Sequence, residues 1–115
     1  MSSSQEEKLL KAHERYRLKR PKSASADGEA RKVMPGGNTR SVLHFDPFPF
    51  RVATAEGPHL VDIDGNQYVD LLGNYTAGLL GHSPTAVRQA VSAALETGFS
   101  LGATHTVEIE AARLL

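Results

Sequence analysis

The chain has 115 residues, room for one small domain, and its thirteen Lys/Arg balance thirteen Asp/Glu to a formal net charge of zero. With 40% hydrophobic and 23% charged residues, neither wholesale disorder nor a fibrous repeat is indicated. The absence of cysteine removes disulfides and thiolate metal sites. No apolar run approaches the ~20 residues of a membrane-spanning helix, so no membrane partner is expected and cytoplasmic residence is the default expectation. Residues 1–22 carry seven Lys/Arg against three Glu. Because Glu6, Glu7 and Glu14 are interspersed, a solvated amphipathic helix is favoured over a transit peptide or a nucleic-acid arm, and no nucleic-acid partner is expected.

Gln5 to Arg20 favours helix formers, with Leu9, Ala12 and Tyr16 on one face, behind a Ser-rich start that reads as a flexible end. Pro21 forbids continuation, which sets a helical arm over residues 1–22. Residues 23–49 read as a loop or connector, small and polar through Lys22-Ser-Ala-Ser-Ala-Asp-Gly28 and rich in turn residues at Met34-Pro-Gly-Gly-Asn-Thr-Arg40. Arg51–Ala55, His59–Ile63 and Gln67–Leu71 are β-rich, broken at Glu56-Gly57-Pro58 and at Asp64-Gly65-Asn66. Asp-Gly between such runs signals a hairpin, so a three-stranded antiparallel meander is expected. Ser83 as N-cap with Pro84 at the first helical position opens a helix carrying Val87, Ala90, Val91, Ala94 and Leu95 on one stripe, ended by Gly98. A second helix is expected from Val107, with Glu108 near its positive end. Residues 50–115 thus form an α+β unit. A helix stopping on Leu114-Leu115 with no cap predicts a chain cut short before a larger domain.

Chemistry-bearing patterns are sparse. Asp62, Asp64, Asn66 and Asp70 have the residue types of a calcium loop, but Gly65 follows the first aspartate by three and not five, and a hairpin turn is favoured. The histidines at 13, 44, 59, 82 and 105 show no i, i+4 pairing, so no metal site is expected. His82, beside Gly81 and ahead of a helix, has the type of a general base but reads more readily as a structural histidine. No dinucleotide fingerprint, P-loop or nucleophile elbow is present.

Three segments carry a resemblance: Pro35-Gly-Gly-Asn-Thr-Arg-Ser41, Val61-Asp-Ile-Asp-Gly-Asn-Gln-Tyr-Val-Asp70, and Gly73-Asn-Tyr-Thr-Ala-Gly-Leu-Leu-Gly-His-Ser-Pro84. In order and spacing, from about Met34 to Leu115, the chain resembles the N-terminal part of class III aminotransferases, nearest to the glutamate-1-semialdehyde aminomutases and β-amino-acid aminotransferases. The resemblance implies a fold-type I enzyme that is dimeric when complete. Its smaller domain would be built from the two chain ends, and residues 50–115 would be the first part of that domain. It implies pyridoxal 5'-phosphate as cofactor and small amino-acid substrates, with amino transfer between an amino acid and a keto acid or aldehyde. The alternatives are aminomutase activity, or a non-catalytic assembly module of the same fold.

Such enzymes hold the cofactor through a Schiff-base lysine, yet every lysine here lies at 8, 11, 19, 22 or 32, before the resembling region. No catalytic residue is therefore assigned. The resemblance gives Arg40 the role of receiving the substrate carboxylate, which its bidentate guanidinium suits. Taken alone, Arg40 is an exposed loop arginine. The same comparison places Tyr75 at the substrate entrance, beside a plainer reading as an aromatic packed at the end of the meander. Asn74 and Thr76 are weaker candidates, and Ser100–Thr104 matches a stretch near the family's dimer interface.

Overall fold

The structure, a computed structural model, describes residues 3–115; of the Ser-rich start read as a flexible end, residues 1 and 2 lie outside the described residues, while Ser3 and Ser4 are helical and correct that reading. Two compact units divide at His82/Ser83.

The first unit opens with two helices, α1 (Ser3–Leu18) and α2 (Pro21–Val33). The chain breaks where Pro21 removes a donor, and Pro21 then serves as the first residue of α2. The expectation of a connector over 23–49 is therefore corrected for its first eleven residues, which are helical. Two features that composition hides produce this helix. Its buried stripe is Ser23, Asp27 and Ala30, spaced four and three apart, which is helical periodicity written in small and polar residues. Its N-terminal donors are also satisfied from far along the chain. Asp64 accepts from the Lys22 N–H at 2.7 Å, the Ser23 N–H at 2.9 Å and the Ser23 hydroxyl at 2.6 Å. From residue 34 to 49 the chain is irregular, apart from 3₁₀ turns at Pro35–Gly37 and Ser41–Leu43.

The meander follows as β1 (Val52–Glu56), β2 (His59–Asp62) and β3 (Gln67–Val69), antiparallel in the order β1-β2-β3. Leu60 faces Ala55 on one side and Tyr68 on the other. The β2–β3 hairpin turns where Asp-Gly predicts, through three residues, Ile63 to Gly65, with Gly65 at φ +88°.

That turn is organised by Asp62, which is 1% exposed. Its carboxylate accepts from the Asp64 N–H (3.0 Å), the Asn66 N–H (2.8 Å), the Asn66 side chain (2.9 Å) and the Tyr68 hydroxyl (2.6 Å). Tyr68 in turn accepts from Arg20 Nε at 2.8 Å, and the Arg20 guanidinium lies 4.0 Å over the Tyr16 ring. Phe50 stacks on Tyr68 at 4.6 Å, while Phe48, 5% exposed, meets Tyr16 edge-on at 5.2 Å. The core of this unit is thus an aromatic cluster around one buried carboxylate, set between the α1–α2 elbow and the hairpin.

The second unit holds α3 (Thr85–Thr97) and α4 (Thr106–Leu114). The expected Ser83 cap is not formed: Pro84 occupies the N-cap position, Ser83 takes φ +52°, and the first i→i+4 bond runs from Arg88 N–H to Pro84 C=O. A residue ahead of proline is pushed out of right-handed helical backbone, which accounts for the shift. Gly98 ends α3 as expected, at φ +133°. His105 caps α4: its Nδ1 accepts from the Val107 N–H at 3.1 Å, and Glu108 accepts from the His105 N–H at 2.9 Å. The α3 stripe of Val87, Val91 and Leu95 is exposed. Among the described residues no helix is long and apolar enough to cross a membrane.

Burial alone would raise the Asp62 carboxyl, but its bonds from Tyr68, Asn66 and the Asp64 N–H outweigh burial and hold it below its ordinary 3.8. Burial first, and then donation to Asp62, push the Tyr68 hydroxyl up to about 12. A folded-state value below the unfolded one stabilises above the unfolded value, and that stability is lost as pH falls through the folded value. Tyr68→Phe removes one of the bonds that depress Asp62. It is expected to cost about 1–3 kcal/mol at neutral pH and to move the onset of acid unfolding to higher pH. Urea titration and a circular-dichroism pH series check both.

Candidate functional site

Two loops of the first unit, residues 34–43 and 70–82, carry the site residues named from sequence. The first leaves α2 through the Met34 N–H bond to Ala30 C=O at 2.8 Å, turns at Gly36 and Gly37 with φ +67° and +72°, then extends through Asn38 and Arg40. Arg51, one residue before β1, donates from Nη2 to the Gly37 carbonyl at 2.8 Å and lies 3.9 Å from Asp27 on α2. Asp27 is closed from its other side by Arg31 at 2.6 Å.

The second loop leaves β3 at Asp70, whose carboxylate accepts from the Leu72 and Gly73 N–H groups at 2.9 and 3.0 Å and meets His82 Nε2 at 2.8 Å. The Gly73 N–H, then His82 and the Leu72 N–H, hold the Asp70 carboxyl below its usual range. His82 is further fixed by two backbone bonds with Gly57, at 2.8 and 3.0 Å. The partner carboxylate that sequence spacing did not offer His82 is therefore present, twelve residues upstream. This pairing and the backbone bridge make His82 the structural anchor of the loop, and it borders an open cleft with Gly57, Pro58, Gly73 and Leu80. Arg40 and Tyr75 do not line that cleft.

Between those anchors Asn74, Tyr75 and Thr76 all take positive φ (50°, 57° and 73°), one turn of left-handed backbone. Non-glycine residues there cost on the order of 1–2 kcal/mol each, so the turn needs support from outside itself. Some comes from Gly78, whose N–H reaches Gly73 C=O at 2.8 Å. More comes from Tyr75, whose hydroxyl donates to the Val42 carbonyl at 3.1 Å.

The structure thus brings together the two loops that hold Arg40 and Tyr75. Arg40 is exposed, and its guanidinium makes no hydrogen bond or ion pair among the described residues. Tyr75 is 45% exposed, and its hydroxyl spans the two loops. Ser100–Thr104 lies in the second unit, exposed between α3 and α4. The hairpin aspartates are spent on turn and cap hydrogen bonds. Among the described residues no group of three or more His, Asp or Glu is placed to hold a metal ion. The roles of Arg51 and Asp27 were not visible in the sequence, because they join positions separated by a turn whose geometry the residue pattern does not state.

No family model matches the chain. It is 38% identical over 107 residues to the beta-phenylalanine transaminase of Variovorax paradoxus, covering 93% of this chain and 25% of that protein. A crystal structure of beta-phenylalanine aminotransferase from the same organism superposes over 95% of this chain with a TM-score of 0.90. The glutamate-1-semialdehyde 2,1-aminomutase of Methanocella arvoryzae is 36% identical over 98 residues, 85% of this chain and 23% of that protein. A transaminase solved with pyridoxal phosphate bound matches 78% of this chain and 21% of its own, at 37% identity and a TM-score of 0.75. The chain belongs to the class III pyridoxal-phosphate aminotransferase family, as a match to its N-terminal portion. It spans about a quarter of the length of the relatives it matches.

Replacing Tyr75 by Phe removes the only side-chain bond that reaches Val42 among the described residues. Hydrogen exchange at the amides of Leu43 and His44 is expected to rise several-fold, with less change at β2. Unchanged exchange there would show that Tyr75 does not brace the Arg40 loop.

Proposed function

We propose that this chain provides the N-terminal part of the small domain of a fold-type I, pyridoxal-phosphate-dependent aminotransferase, acting in the cytoplasm as a homodimer. The complete enzyme moves an amino group between an amino acid and a keto acid or aldehyde. The observation that carries this reading is Arg40 itself: an exposed guanidinium, unpaired among the described residues, on a short loop braced on both sides, at Gly37 by Arg51 and at Val42 by Tyr75. A planar fork in that state is free to take a substrate carboxylate by two parallel hydrogen bonds.

The cofactor supplies the electron sink in such enzymes, but the residues present here do not fit its attachment. Lys8, Lys11, Lys19, Lys22 and Lys32 are all exposed, and Lys11 and Lys32 are paired with Glu7 and Glu29. A lysine that condenses with an aldehyde needs burial or a neighbouring cation to lower its pKa. The contribution of this chain is accordingly to substrate: Arg40 binds and orients the carboxylate, and Tyr75 sets the loop that carries it.

The test is a chimera in which this chain replaces the matching quarter of the Variovorax paradoxus transaminase. The chimera is expected to turn over β-phenylalanine. Arg40→Ala should raise KM for that donor on the order of tenfold or more, while leaving KM for 1-phenylethylamine, which lacks the carboxylate, unchanged. Equal effects on both donors would remove the assignment.

A further inference from the structure

The Arg51 contacts are unusual for a structural arginine. An arginine that serves an ion pair closes on its carboxylate at about 2.7–2.9 Å. Here Arg51 stands 3.9 Å from Asp27 Oδ1 and gives its short bond, 2.8 Å, to the Gly37 carbonyl. Asp27 Oδ1 and Arg51 Nε are both buried and both without a hydrogen-bond partner among the described residues. The guanidinium is thus committed to the loop carbonyl at the expense of the carboxylate beside it.

The backbone of Arg51 is fixed independently. Its carbonyl accepts from the Ile63 N–H at 2.8 Å, and its N–H points to the Ser23 hydroxyl at 3.3 Å. It therefore transmits the position of the sheet and of α2 to the Pro-Gly-Gly turn. Gly37 is packed so closely on α2 that an added Cβ would stand 3.0 Å from Arg31 Cγ and 3.3 Å from Asp27 Oδ1. Three residues on is Arg40, and two beyond that is Val42, held by Tyr75. A segment pinned at both ends by carbonyl bonds has little freedom to relocate its middle residue.

We infer that Arg51 is a positioning residue for substrate-carboxylate recognition, acting through the Gly37 carbonyl to set where Arg40 presents its guanidinium. This rests on the assignment of Arg40 to the carboxylate and adds the residue that makes the assignment selective. Arg51 touches no substrate atom. Displacing a binding group by about an ångström can cost up to a hundredfold, so its loss should appear as weakened carboxylate binding with turnover retained.

The experiment uses the chimera described above, with β-phenylalanine as donor, 1-phenylethylamine as donor without a carboxylate, and 3-phenylpropionate as a competitive ligand. Arg51→Met should raise KM for β-phenylalanine and Ki for 3-phenylpropionate together, on the order of tenfold, with kcat and KM for 1-phenylethylamine changed by less than about twofold. Arg51→Lys, which keeps the charge and one donor, should recover most of the loss. On an Arg40→Ala background Arg51→Met should add nothing, because two residues acting through one contact are not additive. Should Arg51→Met fail to fold, Gly37→Ala displaces the same turn from the α2 side and carries the same expectations.

An Arg51→Met effect that falls equally on both donors, or persists in full without Arg40, would overturn the inference and leave Arg51 a stability residue. If Arg40→Ala raises Ki and Arg51→Met does not, the positioning role fails alone. If Arg40→Ala leaves Ki unchanged, the carboxylate assignment fails and takes this inference with it.

Discussion

The first unit is organised by the buried carboxylate of Asp62. A charge removed from water is tolerated only when hydrogen bonds replace its hydration, and the Asn66 side chain, two backbone amides and the Tyr68 hydroxyl meet that requirement. Those donors can converge only if the β2–β3 turn is closed and Tyr68 points inward, so the demand of one side chain fixes the hairpin. Arg20 then completes the network from the α1–α2 elbow, lying over Tyr16 and donating to Tyr68. Closing the turn also brings Asp64 to the start of α2, where it caps the helix.

From that frame the Arg40 loop is placed step by step. With α2 capped and docked, Asp27 and Gly37 come together, and Arg51, fixed between Ser23 and Ile63, reaches the Gly37 carbonyl. The other end of the loop is held by Tyr75, whose left-handed turn is supported in its own loop by Gly73–Gly78 and by the Asp70–His82 pair. Polar contacts between distant segments, more than apolar area, decide the geometry. Most large apolar side chains are exposed, and only Ala30 and Phe48 are buried hydrophobics among the described residues.

Much of the local structure was legible in the sequence because local physics dictates it. Pro21 had to end α1, Asp64-Gly65 had to turn, and Gly98 had to end α3. The helix α2 was not legible, since its buried face is Ser23, Asp27 and Ala30 and its cap arrives from forty residues away. The Ser83 cap failed for a local reason, the backbone restriction that Pro84 imposes on its neighbour. Of the candidate site, Arg40 and Tyr75 were named through family resemblance alone. The hydroxyl bond that joins their loops, and the Arg51 brace, depend on tertiary proximity that spacing along the chain does not encode.

In the proposed role this frame presents Arg40 to a substrate carboxylate. The most direct measurement is a crystal structure of the chimeric transaminase carrying this chain, with 3-phenylpropionate bound. The ligand carboxylate is expected within about 2.7–2.9 Å of both terminal nitrogens of Arg40, with Arg51 on the Gly37 carbonyl and Tyr75 on the Val42 carbonyl in the same crystal. A carboxylate held by other residues, with Arg40 turned to solvent and the two loop contacts intact, would contradict it.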